Sequence, residues 1–298
     1  MKILLATDGS KYSELIARFL ACLNLSSDDE ITVLHVVFWI PPQYMDAKFY
    51  FDTIKEMKKE IAPRILDFAL DILKPVKAKI STLIEYGSPE QCIVDVAAES
   101  NVDLIAMGAR GLKGIKSFFI GSVTNSVALN ASKPVFITKP PGCNKENLKV
   151  LFATDGSDHS IATAKLLSEI PFPDNTEITM LNVTRPVFLD IPPTFVPAIN
   201  ERMIQMIDQA KANEVMNSEK IIEQAREYLS RSLNNINVLS KEGDPSTEIL
   251  ETSEDLKTDI IAVGCRGLRG IKGMMGSVSR NILTHSKCSV LIGKTCKL

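Results

Sequence analysis

Two glycine-bearing stretches hold the residue types that could do chemistry. Gly264-Cys-Arg-Gly267-Leu-Arg-Gly270-Ile-Lys-Gly273-Met-Met-Gly276-Ser277 puts a glycine at every third position and ends in a hydroxyl. An earlier copy runs Gly108-Ala-Arg-Gly111-Leu-Lys-Gly114 and closes on Gly121-Ser122. Each follows a short apolar run, Asp103 to Met107 and Asp259 to Val263. A strand, a glycine loop and a helix in that order let backbone N–H groups point at a phosphate. Glycine removes a Cβ where the chain turns and approaches a ligand, and it permits positive φ. The free N–H groups and dipole of a helix opening at Gly121 and Ser122 favour an anion by ~0.3–1 kcal/mol. The Ser122 and Thr124 hydroxyls can donate to phosphate oxygens or cap the helix. Arg110, Lys113 and Lys116 in the first loop, and Arg266, Arg269 and Lys272 in the second, either neutralise phosphate or form a solvated basic surface.

Asp8 stands at the end of the first apolar run, in Thr7-Asp8-Gly9-Ser10. A carboxylate there accepts from a ribose hydroxyl or an adenine amino group, holds a metal on phosphates, or closes an Asx turn before a helix. Other chemistry is poorly supplied. The chain lacks the G-x-x-x-x-G-K-[ST] loop, a G-x-G-x-x-G after a first strand and a G-x-S-x-G elbow. His35 and His285 have no evident nucleophile beside them, and no carboxylate pair stands out, so no catalytic residue is assigned. His35, on an apolar strand, reads as a core or pocket-edge residue, and Cys265 as a small filler inside the second loop. The six cysteines form no C-x-x-C pair and the three histidines are scattered, so neither a zinc site nor a disulfide framework is expected.

The elements that must position these residues come in two sets. Lys2-Ile-Leu-Leu-Ala-Thr7-Asp8-Gly9-Ser10 returns as Lys149-Val-Leu-Phe-Ala-Thr154-Asp155-Gly156-Ser157. Leu34-His35-Val36 returns as Leu181-Asn182-Val183, Ile40-Pro41-Pro42 as Ile191-Pro192-Pro193, and Gly87-Ser-Pro89 as Gly243-Asp-Pro245. Two copies of one domain are expected, over 1–140 and 148–298, joined by a Pro/Gly/Asn-rich linker at 141–147 short enough to keep them packed together. Within each copy, apolar runs alternate with segments of helical period, which predicts βαβ units and a parallel sheet. In the first copy strands fit 2–7, 30–37, 78–85, 103–108 and 134–138, and helices 10–23, 51–73, 89–99 and 122–130. Ser10, Ser88 and Ser122 lie at or near N-caps, and Pro89 and Pro245 in first helical turns. The second copy's middle helix is longer, about 198–232, and polar enough that part must be solvated or meet a partner. The fold class is α/β, two tandem doubly wound parallel-sheet domains of five strands each. Their crevices lie beyond the strands' carboxyl ends, where Asp8 would meet the glycine loop.

Composition bounds the function. At 298 residues, 45% apolar and 23% charged, the chain has an ordinary globular make-up. Its 34 basic and 36 acidic residues leave a net charge of −2, too small a field to collect nucleic acid. No apolar run approaches the ~18 residues that span a bilayer, and the start is too polar for a secretion signal, so a cytoplasmic protein is expected.

These motifs resemble the universal stress protein family, whose adenine-nucleotide signature is G-x-x-G, nine residues, then G-[ST]. Gly108, Gly111, nine residues and Gly121-Ser122 match it in full. The likeness extends, in both copies, to the Thr-Asp-Gly-Ser after the first strand and the Gly-x-Pro before the third helix, and in the first copy to the Lys-Pro-Val before the last strand. It implies a Rossmann-like tandem member that binds ATP, or AMP or ADP, with Mg²⁺ on the phosphates. By that resemblance Asp8 and Val36 contact the adenosine, Met107 and Gly108 line base and ribose, and Gly111, Gly121, Ser122, Val123 and Thr124 hold the phosphates. The corresponding second set is Asp155, Val183, Val263, Gly264, Gly267, Gly276, Ser277, Val278 and Ser279. Only eight residues separate Gly267 from Gly276, a shortening expected to shift the helix start against the loop.

Three functions compete. The leading one is a non-catalytic adenine-nucleotide-binding regulator of a stress response. The second is a slow ATPase or nucleotide hydrolase using Asp8 or Asp155 as a metal ligand, and the third a nucleotide-free tandem scaffold. The resemblance also implies that the two copies pair through their last strands within one chain, and that the whole chain could form a homodimer or bind a further protein.

Overall fold

The structure, a computed structural model, describes residues 1–38, 48–111, 120–140, 147–185, 201–268 and 275–295, apart from the side chains of 48–55, 201, 204 and 210. In the first half β1 (Lys2–Ala6), α1 (Lys11–Leu20), β2 (Glu30–Phe38), α2 (Lys48–Leu73) and β3 (Lys79–Gly87) precede α3 (Pro89–Glu99), β4 (Leu104–Gly108), α4 (Ser122–Asn130) and β5 (Val135–Thr138). The second half repeats the order with β6 (Lys149–Ala153), α5 (Asp158–Glu169), β7 (Glu177–Thr184), α6 (Glu201–Leu229) and β8 (Asn235–Glu242). It closes with α7 (Pro245–Asp255), β9 (Ile260–Gly264), α8 (Ser277–His285) and β10 (Ser289–Gly293). The middle helix of the second half thus spans 201–229 within the expected 198–232, and residues 198–200 lie outside the description, as do Ile40-Pro41-Pro42, its later copy and most of the linker.

The inner strands are apolar on both faces because both are covered, whereas the outermost, β3 and β8, are polar and largely exposed. Ile3 and Leu5 point with Ile16, Phe19 and Leu20 of α1 and Leu66 and Leu73 of α2, whereas Leu4 and Ala6 point with Ile93 and Val96 of α3 and Val127 of α4. Such alternation between two buried faces makes β1 read as a continuous hydrophobic run. Each fully buried large side chain contributes about 1.5–3 kcal/mol, and Phe19 stacks on Phe136 with ring centroids 4.3 Å apart. Helix α2 continues through Pro63, which has no N–H to give to the carbonyl of Lys59. Among the described residues no helix is long and apolar enough to cross a membrane.

All ten strands form one sheet in the order β3-β2-β1-β4-β5-β10-β9-β6-β7-β8. Within each half the pairs are parallel, and strand order reverses between β1 and β4, and again between β6 and β9. The halves join where β5 meets β10, antiparallel, with Val135 opposite Ile292, Phe136 opposite Leu291 and Ile137 opposite Val290. Two like strands meeting edge to edge across an approximate two-fold must run oppositely. The intrachain pairing expected from the resemblance is therefore present, and it removes two exposed edges at once.

Candidate functional site

At the reversal between β1 and β4, the end of the first strand and the glycine loop are tied together. Asp8 Oδ1 accepts from Ser10 N at 3.0 Å, an Asx turn, and Ser10 Oγ caps α1 by accepting from Ser13 N at 3.3 Å. Ser10 Oγ also reaches the Arg110 carbonyl, 3.5 Å away. The second half repeats this geometry: Asp155 Oδ1 accepts from Ser157 N at 3.0 Å, Ser157 Oγ accepts from Ser160 N and donates to the Arg266 carbonyl at 3.1 Å. Asp155 Oδ2 accepts from Leu268 N at 3.1 Å, which anchors the glycine loop on the carboxylate.

Why the loop needs glycine is settled by packing rather than by φ. Among the described glycines with positive φ are Gly9, Gly87 and Gly156; Gly108 and Gly111 are not. A Cβ on Gly108 would stand 2.7 Å from the Tyr12 carbonyl carbon, and one on Gly264 2.8 Å from Ser160 N, so these glycines admit the backbone of α1 and α5 against the strand. A Cβ on Gly267 would lie 2.5 Å from Asp155 Oδ2, and one on Gly111 would overlap Asp8 Oδ2. The space in front of Gly108 and Gly264 is thus taken by helix backbone, and that in front of Gly111 and Gly267 by the Asp8 and Asp155 carboxylates.

Helices α4 and α8 open in the same way. Their N-cap residues are Gly121 and Gly276, neither helix has a side-chain cap, and Ser122 and Ser277 are the exposed first helical residues. Gly121 N donates to the Ala109 carbonyl at 2.9 Å and Gly276 N to that of Cys265 at 2.8 Å. The eight-residue spacing thus leaves the helix start where the nine-residue spacing puts it, because the same backbone bond fixes both. Thr124 Oγ1 donates to the Gly108 carbonyl and Ser279 Oγ to that of Cys265, each at 2.8 Å. Those buried hydroxyls pin helix to strand with their protons, leaving Ser122 and Ser277 as the outward-facing ones. Lys113, Lys116, Arg269 and Lys272 lie outside the described residues.

In the second half all these parts enclose a cavity of about 390 Å³. Every residue of the second set lines it: Asp155, Val183, Val263, Gly264, Gly267, Gly276, Ser277, Val278 and Ser279. Its apolar side is completed by Ala153, Leu181, Ile249 and Met275, which motif spacing did not single out; Ile249 arrives from α7 and is legible only as one residue of a helical period. Its polar side adds Arg266, whose Nε is buried and finds no acceptor among the described residues. In the first half Asp8, Gly111, Gly121, Ser122, Val123 and Thr124 gather at the same place, Met107 and Gly108 end β4, and half-buried Val36 lies near the end of β2.

The walls behind the two loops differ. His159 takes the place of Tyr12 and Cys265 that of Ala109. His159 Nδ1 accepts from Thr295 N at 3.1 Å, which leaves its proton on Nε2, and Cys265 Sγ stands 3.4 Å from the same nitrogen. Burial, and then the Arg266 charge, push His159 below its ordinary pKa. On the strand edge the exchange conserves a bond: His35 Nδ1 lies 2.9 Å from the Thr7 carbonyl and Asn182 Nδ2 2.7 Å from that of Thr154, both as donors. Cys92, Cys265 and Cys288 are free thiols, and among the described residues no cluster of three or more His, Cys, Asp or Glu could hold a metal ion.

Known proteins share both halves. The model of the universal stress protein family matches residues 1–139 and again 146–294. Universal stress protein MJ0531 of Methanocaldococcus jannaschii is 31% identical over 140 residues, covering 47% of this chain and 82% of that protein. Universal stress protein YxiE of Bacillus subtilis is 31% identical over 151 residues, 46% of this chain and 98% of its own. A crystal structure of a universal stress protein from Archaeoglobus fulgidus, 22% identical, covers 98% of both chains with a TM-score of 0.60, which extends the likeness of fold to the tandem arrangement.

Proposed function

The chain belongs to the universal stress protein family through both of its halves, and on that premise we propose that it is a non-catalytic adenine-nucleotide-binding regulator. The observation that carries this reading is the cavity of about 390 Å³ with one apolar and one polar side. A volume in that range suits a small ligand held largely by apolar walls and a few placed polar groups. Val183, Ile249 and Val263 make the apolar side, where a base would lie, and Asp155 stands between them and the loop, where a ribose hydroxyl could donate to it. Phosphates would face the uncapped start of α8 at Gly276 to Val278 and the Arg266 guanidinium, whose orphaned Nε would gain a charged acceptor. Among the described residues Asp155 is the one carboxylate lining the cavity, and it already accepts two backbone N–H groups. Mg²⁺ would therefore be held mainly by the phosphates themselves, as is usual for this ion. The first half offers the same frame around Asp8, Gly111 and Gly121.

The reading is tested by thermal unfolding with Mg-ATP. A ligand at ~100 times its dissociation constant stabilises the folded state by about 2.7 kcal/mol, or roughly 5–10 °C in a domain of this size. Ser277→Asp and Ser122→Asp put a carboxylate at the helix starts, which suits the helix but repels phosphate. The shift should shrink in either variant and vanish in the double variant. No shift in the unmodified protein sinks the reading.

A further inference from the structure

The two halves of the chain exchange a lysine. Lys139 directly follows β5 and Lys294 directly follows β10, matched positions in the two copies, and each is only 8% exposed. Lys139 Nζ donates to the carbonyls of Leu283 and Ser286 at 2.8 and 2.7 Å and to Ser286 Oγ at 2.9 Å. Lys294 Nζ donates to the carbonyl of Ala128 at 2.8 Å and to that of Ala131. Because β5 and β10 are antiparallel, a residue leaving either strand lands on the last helix of the opposite half. Lys139 therefore closes the C-terminal end of α8, and Lys294 that of α4, where unpaired carbonyls and the negative end of the dipole favour a cation.

These are the same two helices whose other ends open on the candidate sites. Each has nine residues, so its two ends are about 13 Å apart. A rod of two and a half turns has little slack: fixing its last carbonyls fixes where its first N–H groups point. The strand ends complete the connection, since Ala109 N donates to the Thr138 carbonyl at 2.9 Å and Cys265 N to that of Gly293 at 2.8 Å. Each lysine thus leaves a strand that is bonded to the glycine loop of its own half and grips the helix of the other.

We propose that Lys294 is a positioning residue of the first candidate site and Lys139 of the second, so that each site is completed by a lysine from the opposite half. The ligand in this inference rests on the nucleotide reading above; the positioning of the helices does not. Satisfying three donors of Lys139 inside the protein offsets part of the cost of burying its charge.

The test uses the full chain with one site blocked at a time and Mg-ATP titrated calorimetrically. With Ser277→Asp leaving the first site to report, Lys294→Met should weaken binding about tenfold and Lys139→Met less than about twofold, within the usual range of site coupling. With Ser122→Asp leaving the second site to report, the two lysines should exchange roles. Lys294→Arg and Lys139→Arg, which keep a cation, should recover most of the loss. Weakening of both sites alike by either lysine variant, weakening confined to the lysine's own half, or no weakening overturns the proposal. Amide exchange without nucleotide gives an independent readout: Lys294→Met should speed exchange at the end of α4 around Ala131, and Lys139→Met at the end of α8 around Ser286. If the unmodified protein takes up no nucleotide, the binding reading fails and the exchange pattern decides alone, crossed protection upholding the positioning and uncrossed protection overturning it.

Discussion

The first half backs its glycine loop with Tyr12 and Ala109, the second with His159 and Cys265, yet the backbone in front of both is held by the same bonds. Ser10 and Ser157 cap the same helix and reach the same loop carbonyl, and Gly121 and Gly276 make the same bond to the end of the glycine strand. Shared frame and divergent wall show which residues the fold requires and which a site is free to vary. Glycine is required where a helix backbone or a carboxylate fills the space; the aromatic, imidazole and thiol behind it are not. A missing loop residue is tolerated for the same reason, because the helix start is fixed from behind.

The comparison breaks most readily at the glycines. Gly108→Ala and Gly264→Ala each force a Cβ against helix backbone and should cost about 1–3 kcal/mol in denaturant unfolding, alike in the two halves. A Cβ on Gly121 would meet the Ala109 carbonyl oxygen at 3.4 Å and one on Gly276 the Arg266 Cα at 3.5 Å, so Gly121→Ala and Gly276→Ala should cost less than about 1 kcal/mol. A Gly276→Ala loss as large as that of Gly264→Ala would mean that the helix start is not the tolerant part of the frame.

The crossed lysines sharpen the comparison at intermediate size. Burial pushes both Lys139 and Lys294 down to about 8 from the 10.5 of a free side chain. The sign follows from proton uptake: between about pH 8 and 10.5 the unfolded chain holds protons that the folded one has released, so this contribution to stability rises with pH across that window. The charged or titratable neighbours are Cys288 and Arg110 around Lys139, and Cys265 and Arg266 around Lys294. Unfolding free energies measured at pH 7.5 and pH 10 should therefore move in favour of the unmodified protein relative to Lys139→Met/Lys294→Met. An equal pH dependence in both proteins would contradict the lowering that burial imposes on the two lysines.

The smallest expected effect separates the two walls. His159 is held below the ordinary histidine value by burial and by Arg266, so the unfolded chain takes up its proton first as pH falls below about 6.5. The second half should lose stability there, and His159→Tyr, which copies the first half, should reduce that acid-side loss. Unchanged acid sensitivity in His159→Tyr would place the titrating group elsewhere.

The repeat, the βαβ order, most element limits and the helix cap at Ser10 were legible in the sequence because they rest on local signals, whereas Ser88 makes no side-chain cap bond and Gly121 rather than Ser122 is the N-cap of α4. Hydrophobic periodicity, a serine before a helix and a proline in its first turn act over a few residues. The chain also marked out Asp155, Gly267 and Gly276 as parts of one place, since a doubly wound topology brings the ends of its first and fourth strands together. Only the tertiary structure decided that Gly108 answers to Tyr12 and Gly111 to Asp8, that Ile249 and Arg266 wall a cavity, and that β5 and β10 meet in the register that sets Phe136 opposite Leu291. The exchange of Lys139 and Lys294 was likewise invisible, because a lysine after a strand reads as a solvated charge until the opposite half covers it. Such contacts join residues about a hundred or more positions apart, and no periodicity or spacing along the chain records which helix end will stand in front of a given side chain.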